Sequence, residues 1–196
     1  MSSDAAEKRV LEAIAERREL VNDALDEDVP MKSPERLYEA TRYLLKAGGK
    51  RLRPTVALLT AEALADVEPL SVDYHAFPAL DSSEIDVMSA ATSIEVIQSF
   101  TLIHDDIMDD DDLRRGVPAV HKEYDTETAI LAGDTLYAKA FELLSETGAD
   151  PANGLEAVRR LATTCTQICE GQALDVEFER RTEVVPEEYL EMVELK

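Results

Sequence analysis

Apolar residues recur along this chain with helical rather than alternating spacing. Between Asp4 and about Leu25 the positions Val10, Leu11, Ile14, Val21 and Leu25 follow a helical period, and later segments repeat the pattern. Ser33 and Pro34 read as an N-cap followed by proline at the first helical position, and Gly48-Gly49 ends the helix opened there. Pro54 is placed to start the next one. Residues 66–83 carry two prolines and little periodicity, which predicts a loop leading to Ser83 as the cap of a long helix. That helix runs from about Glu84 towards a run of aspartates. Gly116 and Pro118 break it, Thr126 caps another through about Glu146, and Pro151 opens a further helix reaching about Glu179. The expected class is all-α, and the length suits a single domain over residues 1–196, or most of one.

Composition narrows the partners. The chain has 42 acidic residues against 20 Lys plus Arg, a formal charge of -22 and a pI near 4.4. Such an excess suits a protein kept soluble in concentrated salt, where self-repulsion is screened, and it argues against nucleic acid and anionic membrane surfaces. Apolar residues make up 45% of the chain, ample for a core, yet no apolar run approaches the roughly 20 residues of a membrane span. The opening "MSSDAAEKRV" has no cationic start leading into an apolar stretch, so a cytoplasmic protein without membrane insertion is expected. Cys165 and Cys169, four apart on one face of a helix, read as small core residues and not as a zinc site or a disulfide. There is no Gly-rich phosphate loop and no internal repeat.

The stretch "LIHDDIMDDDDLRRG" stands out against this background. Six aspartates fall within the eight positions 105–112, directly before Arg114 and Arg115. An acidic run is ordinarily a solvated face. On a helix, however, Asp105 and Asp109 share a face one turn apart, roughly 5–6 Å between Cβ atoms, near a C-terminal end whose dipole already disfavours anions. A hard divalent cation offsets that cost, and magnesium characteristically joins one or two carboxylates to a substrate's phosphates. A calcium loop does not fit, because Ile107 occupies the third position and no closing Glu follows. If the substrate carries phosphates, the protein also needs cations. Arg114 and Arg115 supply two, and "GGKRLRP" places Lys50, Arg51 and Arg53 on a turn between helices, although that motif alone is also an ordinary helix stop. Gln98, two turns before Asp105, lies on the same stripe.

These residues resemble the trans-prenyltransferases that make short-chain isoprenyl diphosphates. The likeness is carried by "GGKRLRP", "SIEVIQSFTLIHDDIMDDDDLRRGVPAVH", "AGD" at 132–134 and "GQALD" at 171–175, and it extends from about Leu37 to the last residue. It implies an all-α, isoprenoid-synthase-type helical bundle around a central cavity, a homodimer when complete, and head-to-tail condensation of isopentenyl diphosphate with an allylic diphosphate. By the same resemblance Lys50, Arg53, Gln98 and Arg115 hold isopentenyl diphosphate. Arg114 and Lys196 hold the allylic diphosphate, and Asp105 with Asp109 its Mg2+ ions. Many members of the family have His where this chain has Gln98; an amide still donates to a phosphate oxygen. His104 and His121 fit the pattern too and are expected to pack or hydrogen-bond locally. Phe100, five residues before Asp105, is implied to floor the pocket for the growing tail, as in archaeal geranylgeranyl diphosphate synthases, with some farnesyl product.

The chemistry implied needs no protein nucleophile, in keeping with the absence of a Ser-His or Cys-His constellation. Members of the family continue past the equivalent of "EEYLEMVELK" into a second aspartate-bearing helix, so the bundle is expected to be incomplete at its C-terminus. An inactive truncated paralogue or non-catalytic partner subunit is the alternative. A salt-adapted helical interaction module without affinity for isoprenyl diphosphates is a third.

Overall fold

Eight helices make up nearly all the regular structure of the described residues, in agreement with the all-α expectation. The computed structural model describes residues 3–81 and 83–196. Its contacts divide the chain into two units, Met1–Ala149 and Asp150–Lys196. The first holds α1 (Ser3–Asp28), α2 (Glu35–Lys46), α3 (Leu52–Ala65), α4 (Val87–Met108), α5 (Val120–Glu123) and α6 (Thr126–Ser145). Two short antiparallel hairpins complete it: β1 (Phe77–Pro78) with β2 (Glu84–Ile85), and β3 (Leu113–Arg114) with β4 (Val117–Pro118). The second unit holds α7 (Pro151–Phe178) packed on α8 (Pro186–Leu195).

Helix α4 is the axis of the first unit. It is apolar on nearly every side, as a helix surrounded by others must be, and it packs against α1, α2, α3, α5 and α6. Ala91, Val96 and Ile103 on it are wholly buried. Among the described residues no helix is long and apolar enough to cross a membrane.

The helix starts differ from expectation in an instructive way. Asp86, not Ser83, caps α4, its carboxylate accepting the Ser89 N–H at 2.7 Å. Ser83 is instead bound to Asp81, and Glu84–Ile85 are drawn into β2. At α6 the cap is Asp125, which accepts from the Thr128 N–H at 2.6 Å, while Thr126 is already helical. In both places a carboxylate takes the cap from a neighbouring hydroxyl residue, since a charged acceptor makes the stronger bond to the exposed amides. Pro34 occupies the N-cap of α2 itself. Pro151 opens α7 as anticipated, behind Asp150. Of the two free cysteines Cys165 is buried, but Cys169 is exposed and so is not the core residue expected.

Candidate active site

The end of α4 and the turn that follows it set the geometry. Asp105 is half-buried and Asp109, the C-cap, is exposed; the Asp109 N–H donates to the Asp105 carbonyl at 2.8 Å, so the two residues stand one helical turn apart as their spacing predicts. Asp110 then takes a left-handed φ of 52° and the helix stops. The chain returns through β3 and β4 over a two-residue loop, Arg115-Gly116, with φ of 54° and 82°. Positive φ at both loop positions is what the tight hairpin turn of primed type requires. Gly116 adopts it freely, whereas Arg115 is a side-chain-bearing residue in a sparsely populated region.

This hairpin separates two neighbouring arginines. Arg114 folds back on the helix: its Nε donates to Asp106 Oδ1 at 2.7 Å, its Nη2 also reaches that oxygen, and Nη2 meets Asp111 Oδ2 at 3.1 Å. Asp106 is wholly buried, and its Oδ2 has no hydrogen-bond partner among the described residues. Burial raises the Asp106 pKa against the opposing pull of Arg114, while the hydrogen bond to Asp106 raises that of Arg114. Arg115 points the other way. Its Nη1 donates to the carbonyls of Leu44, at 3.1 Å, and Gly48, and its Nη2 to Glu95 Oε1 at 3.3 Å. Burial, and next the charge of Arg51, lower the Arg115 pKa.

The aspartate run therefore divides by role. Asp106 and Asp111 are matched by Arg114, and Asp110 and Asp112 by Lys122 at 2.7 and 3.2 Å. Asp109 has no side-chain partner among the described residues. No group of three or more His, Cys, Asp or Glu side chains among the described residues is arranged to hold a metal. What is present, two carboxylates a turn apart with one exposed, fits Mg2+ shared with phosphate oxygens and water better than a closed protein cage.

The other expected residues fall in several places. Lys50 and Arg53, beside the Gly48-Gly49 turn, are exposed and without a side-chain partner among the described residues. Gln98 is half-buried, and its backbone carbonyl accepts from the Thr101 hydroxyl at 2.9 Å. Phe100 lies in the seam between α4 and α6, edge-on to His104 at 4.7 Å and to Tyr137 at 5.2 Å between ring centroids. Lys196, in the second unit, pairs with Asp175 of the "GQALD" stretch at 2.5 Å.

His104 and His121 pack, as expected of them. His104 Nε2 lies 3.2 Å from the Ile130 carbonyl, and its ring sits so close to Gly133 of "AGD" that a Cβ there would come within 2.4 Å of it. Both ring nitrogens of His121 are buried without hydrogen-bond partners among the described residues, and Asp110 lies 3.9 Å from one of them.

Sequence reasoning missed Glu95. It is 3% exposed, and its Oε1 accepts from both Arg51 and Arg115. The signal was present, because Glu95 is the only charged residue of α4 between Val87 and Ile103. A lone carboxylate in an apolar helix must find a cation.

With this geometry in view, relatives are informative. The model of the family described as Polyprenyl synthetase matches residues 34–196. A geranylfarnesyl diphosphate synthase of Natronomonas pharaonis is 73% identical over 184 residues, which are 94% of this chain and 54% of that protein. A geranylgeranyl diphosphate synthase of Methanosarcina mazei is 49% identical over 95% of this chain and 53% of its own. Among solved structures, the geranylgeranyl pyrophosphate synthetase of the archaeon Geoglobus acetivorans superposes with a TM-score of 0.82 at 50% identity, over 93% of this chain and 55% of that one. The chain thus spans about half the length of the curated relatives it matches.

Proposed function

The chain belongs to the polyprenyl synthetase family, and on that premise we propose that it condenses isopentenyl diphosphate head to tail with an allylic diphosphate, as part of a cytoplasmic homodimer. The observation that carries this reading is the division of charge at the end of α4. Four aspartates are matched to cations of the protein, while Asp109 is left exposed one turn beyond Asp105, with Lys50 and Arg53 exposed and without partners among the described residues. An exposed Asp109 one turn from Asp105 offers a metal ligand, and the exposed Lys50 and Arg53 offer cations for diphosphate, which together suit an ionisation driven by the departure of pyrophosphate.

In this reading Lys50, Arg53, Gln98 and Arg115 bind the diphosphate of isopentenyl diphosphate, and Arg114 that of the allylic substrate; Lys196 is the cation that the second unit would offer to a diphosphate. Arg114 already holds Asp106, and Lys196 Asp175, so phosphate would share each cation with a carboxylate. Asp105 and Asp109 would hold Mg2+, which would supply positive charge to the departing pyrophosphate. The allylic carbon–oxygen bond breaks with its electron pair going to pyrophosphate, the double bond of isopentenyl diphosphate forms the new carbon–carbon bond, and the proton lost from the resulting cation, whose electrons restore a double bond, passes to the departed pyrophosphate. No side chain need form a covalent bond. Phe100 limits the tail. The relatives named for geranylgeranyl and geranylfarnesyl products set the proposed length range.

The test is substitution of the aspartates in the complete enzyme. Asp105→Ala or Asp109→Ala should lower kcat at least about a hundredfold, since each removes charge stabilisation felt mainly in the transition state. Asp111→Ala should lower it far less. Equal losses at all three positions would mean that bulk negative charge, and not the spacing of one helical turn, is what the segment provides.

A further inference from the structure

Three features meet at the Gly48-Gly49 turn. Arg51, the N-cap of α3, has a left-handed φ of 50°, and Arg115 in the hairpin loop has one of 54°. Both guanidinium groups reach the same oxygen, Glu95 Oε1, at 2.5 and 3.3 Å. The guanidinium of Arg115 also lies so close to Gly49 that a Cβ there would sit 3.0 Å from its Cζ. Glu95 therefore ties together two segments remote in sequence, each held in a conformation that costs a side-chain-bearing residue energy.

We propose that Glu95 is a positioning residue for diphosphate binding: one buried carboxylate anchors Arg51 and Arg115 together, so that the donors Arg115 has left stay available to the diphosphate of isopentenyl diphosphate. This rests on the role proposed above for Arg115. The inventory of donors supports it. Arg51 spends its head group on Asn22 at 3.0 Å, Glu95 and the Leu45 carbonyl at 2.6 Å, and it is buried, so it serves the scaffold. Arg115 has five N–H donors. Three go to Leu44, Gly48 and Glu95, leaving the Nε–H and one Nη2–H without an acceptor among the described residues.

Charge supports it as well. Two guanidinium groups against one carboxylate leave a net positive charge at the turn, beside the exposed Lys50 and Arg53. An anion completes such a cluster. Without Glu95 the two arginines repel each other in a site where burial weakens screening, and only the Leu44 and Gly48 carbonyls among the described residues are left to hold Arg115.

Calorimetric titration of the 196-residue chain with isopentenyl diphosphate tests this. Glu95→Gln, shown to be folded by circular dichroism, should weaken binding by roughly tenfold or more, the effect of losing a charged hydrogen bond. In an Arg115→Ala background the same change should cost little further, because Glu95 acts through Arg115. Glu95→Asp keeps the charge on a shorter arm and should weaken binding by less; it carries the same comparison should Glu95→Gln not fold. Unaltered affinity in a folded Glu95 variant, or equal weakening with and without Arg115, overturns the positioning role. A wild-type chain that does not bind isopentenyl diphosphate overturns the role proposed for Arg115, and the inference with it.

Discussion

Two buried arginine and glutamate clusters in the first unit share their chemistry and differ in their balance. In one, Arg17 of α1 makes a forked contact to Glu62 of α3, at 2.8 and 2.6 Å, and donates to its own helix at the Ala13 carbonyl. Tyr74 and the Leu70 N–H complete the carboxylate's partners. One cation meets one anion, both are buried, and the charges balance, although the Arg17 Nε–H has no acceptor among the described residues. In the other, Glu95 faces both Arg51 and Arg115, so one positive charge is in excess. Burying a charge is costly unless it is compensated, so a neutral cluster reads as scaffold and a cationic one as a place awaiting an anion. The distinction lies in stoichiometry, not in residue type.

The sharpest way to break this contrast is to remove one charged member of each cluster in turn. Glu62→Ala strands Arg17 in the interior and should cost about 3–5 kcal/mol of stability in denaturant unfolding. The molecules that remain folded should bind isopentenyl diphosphate as before. Arg115→Ala leaves Glu95 still paired with Arg51, so it should cost less stability, about 1–2 kcal/mol, while weakening isopentenyl diphosphate binding by roughly tenfold or more. A variant pair that loses stability and affinity in equal measure would erase the difference between the clusters.

Tyr74 sharpens the neutral side. Burial, then its hydrogen bond to Glu62 and that group's charge, push its pKa up to about 12. The folded value lies above the ordinary tyrosine value of 10, so the contribution is complete below pH 10 and is lost as the pH rises towards 12. Tyr74→Phe should cost about 1 kcal/mol at neutral pH. Unfolding midpoints of the two proteins should converge as the pH is raised above 10.

The smallest effect belongs to an exposed charge. Hydrogen bonds from Thr128, then Arg36, pull the Asp125 pKa down to about 2. Its contribution is present above the ordinary 3.8 and is lost as the pH falls towards 2. Asp125→Asn should flatten this acid limb of the stability profile while leaving diphosphate affinity untouched. An unchanged acid limb would show that Asp125 adds nothing beyond its hydrogen bond as a cap.

Much of this was legible in the chain itself. Helical periodicity and the Gly and Pro positions located the helices, because both act over a few residues. The four-residue step from Asp105 to Asp109 was equally local, and the stop at Gly48-Gly49 lies where left-handed backbone is needed, whereas α4 ends at Asp109, well before the expected break at Gly116, which instead turns the β3–β4 hairpin. The cap positions were misplaced by one to three residues, because Asp86 and Asp125 compete with Ser83 and Thr126 for the same amides and local pattern does not rank them.

What only the tertiary structure decided is where neighbouring charges go. Arg114 and Arg115 are adjacent and chemically identical, yet the hairpin sends one onto Asp106 eight residues back and the other onto Glu95 and the Gly48 carbonyl. Lys50, Arg51 and Arg53 share one short motif, yet Arg51 alone is buried. Periodicity and turn chemistry are properties of consecutive residues and can be read from their order. The balance of a buried charge depends on which segments meet, and a carboxylate such as Glu95 finds its two cations 44 positions before it and 20 positions after it.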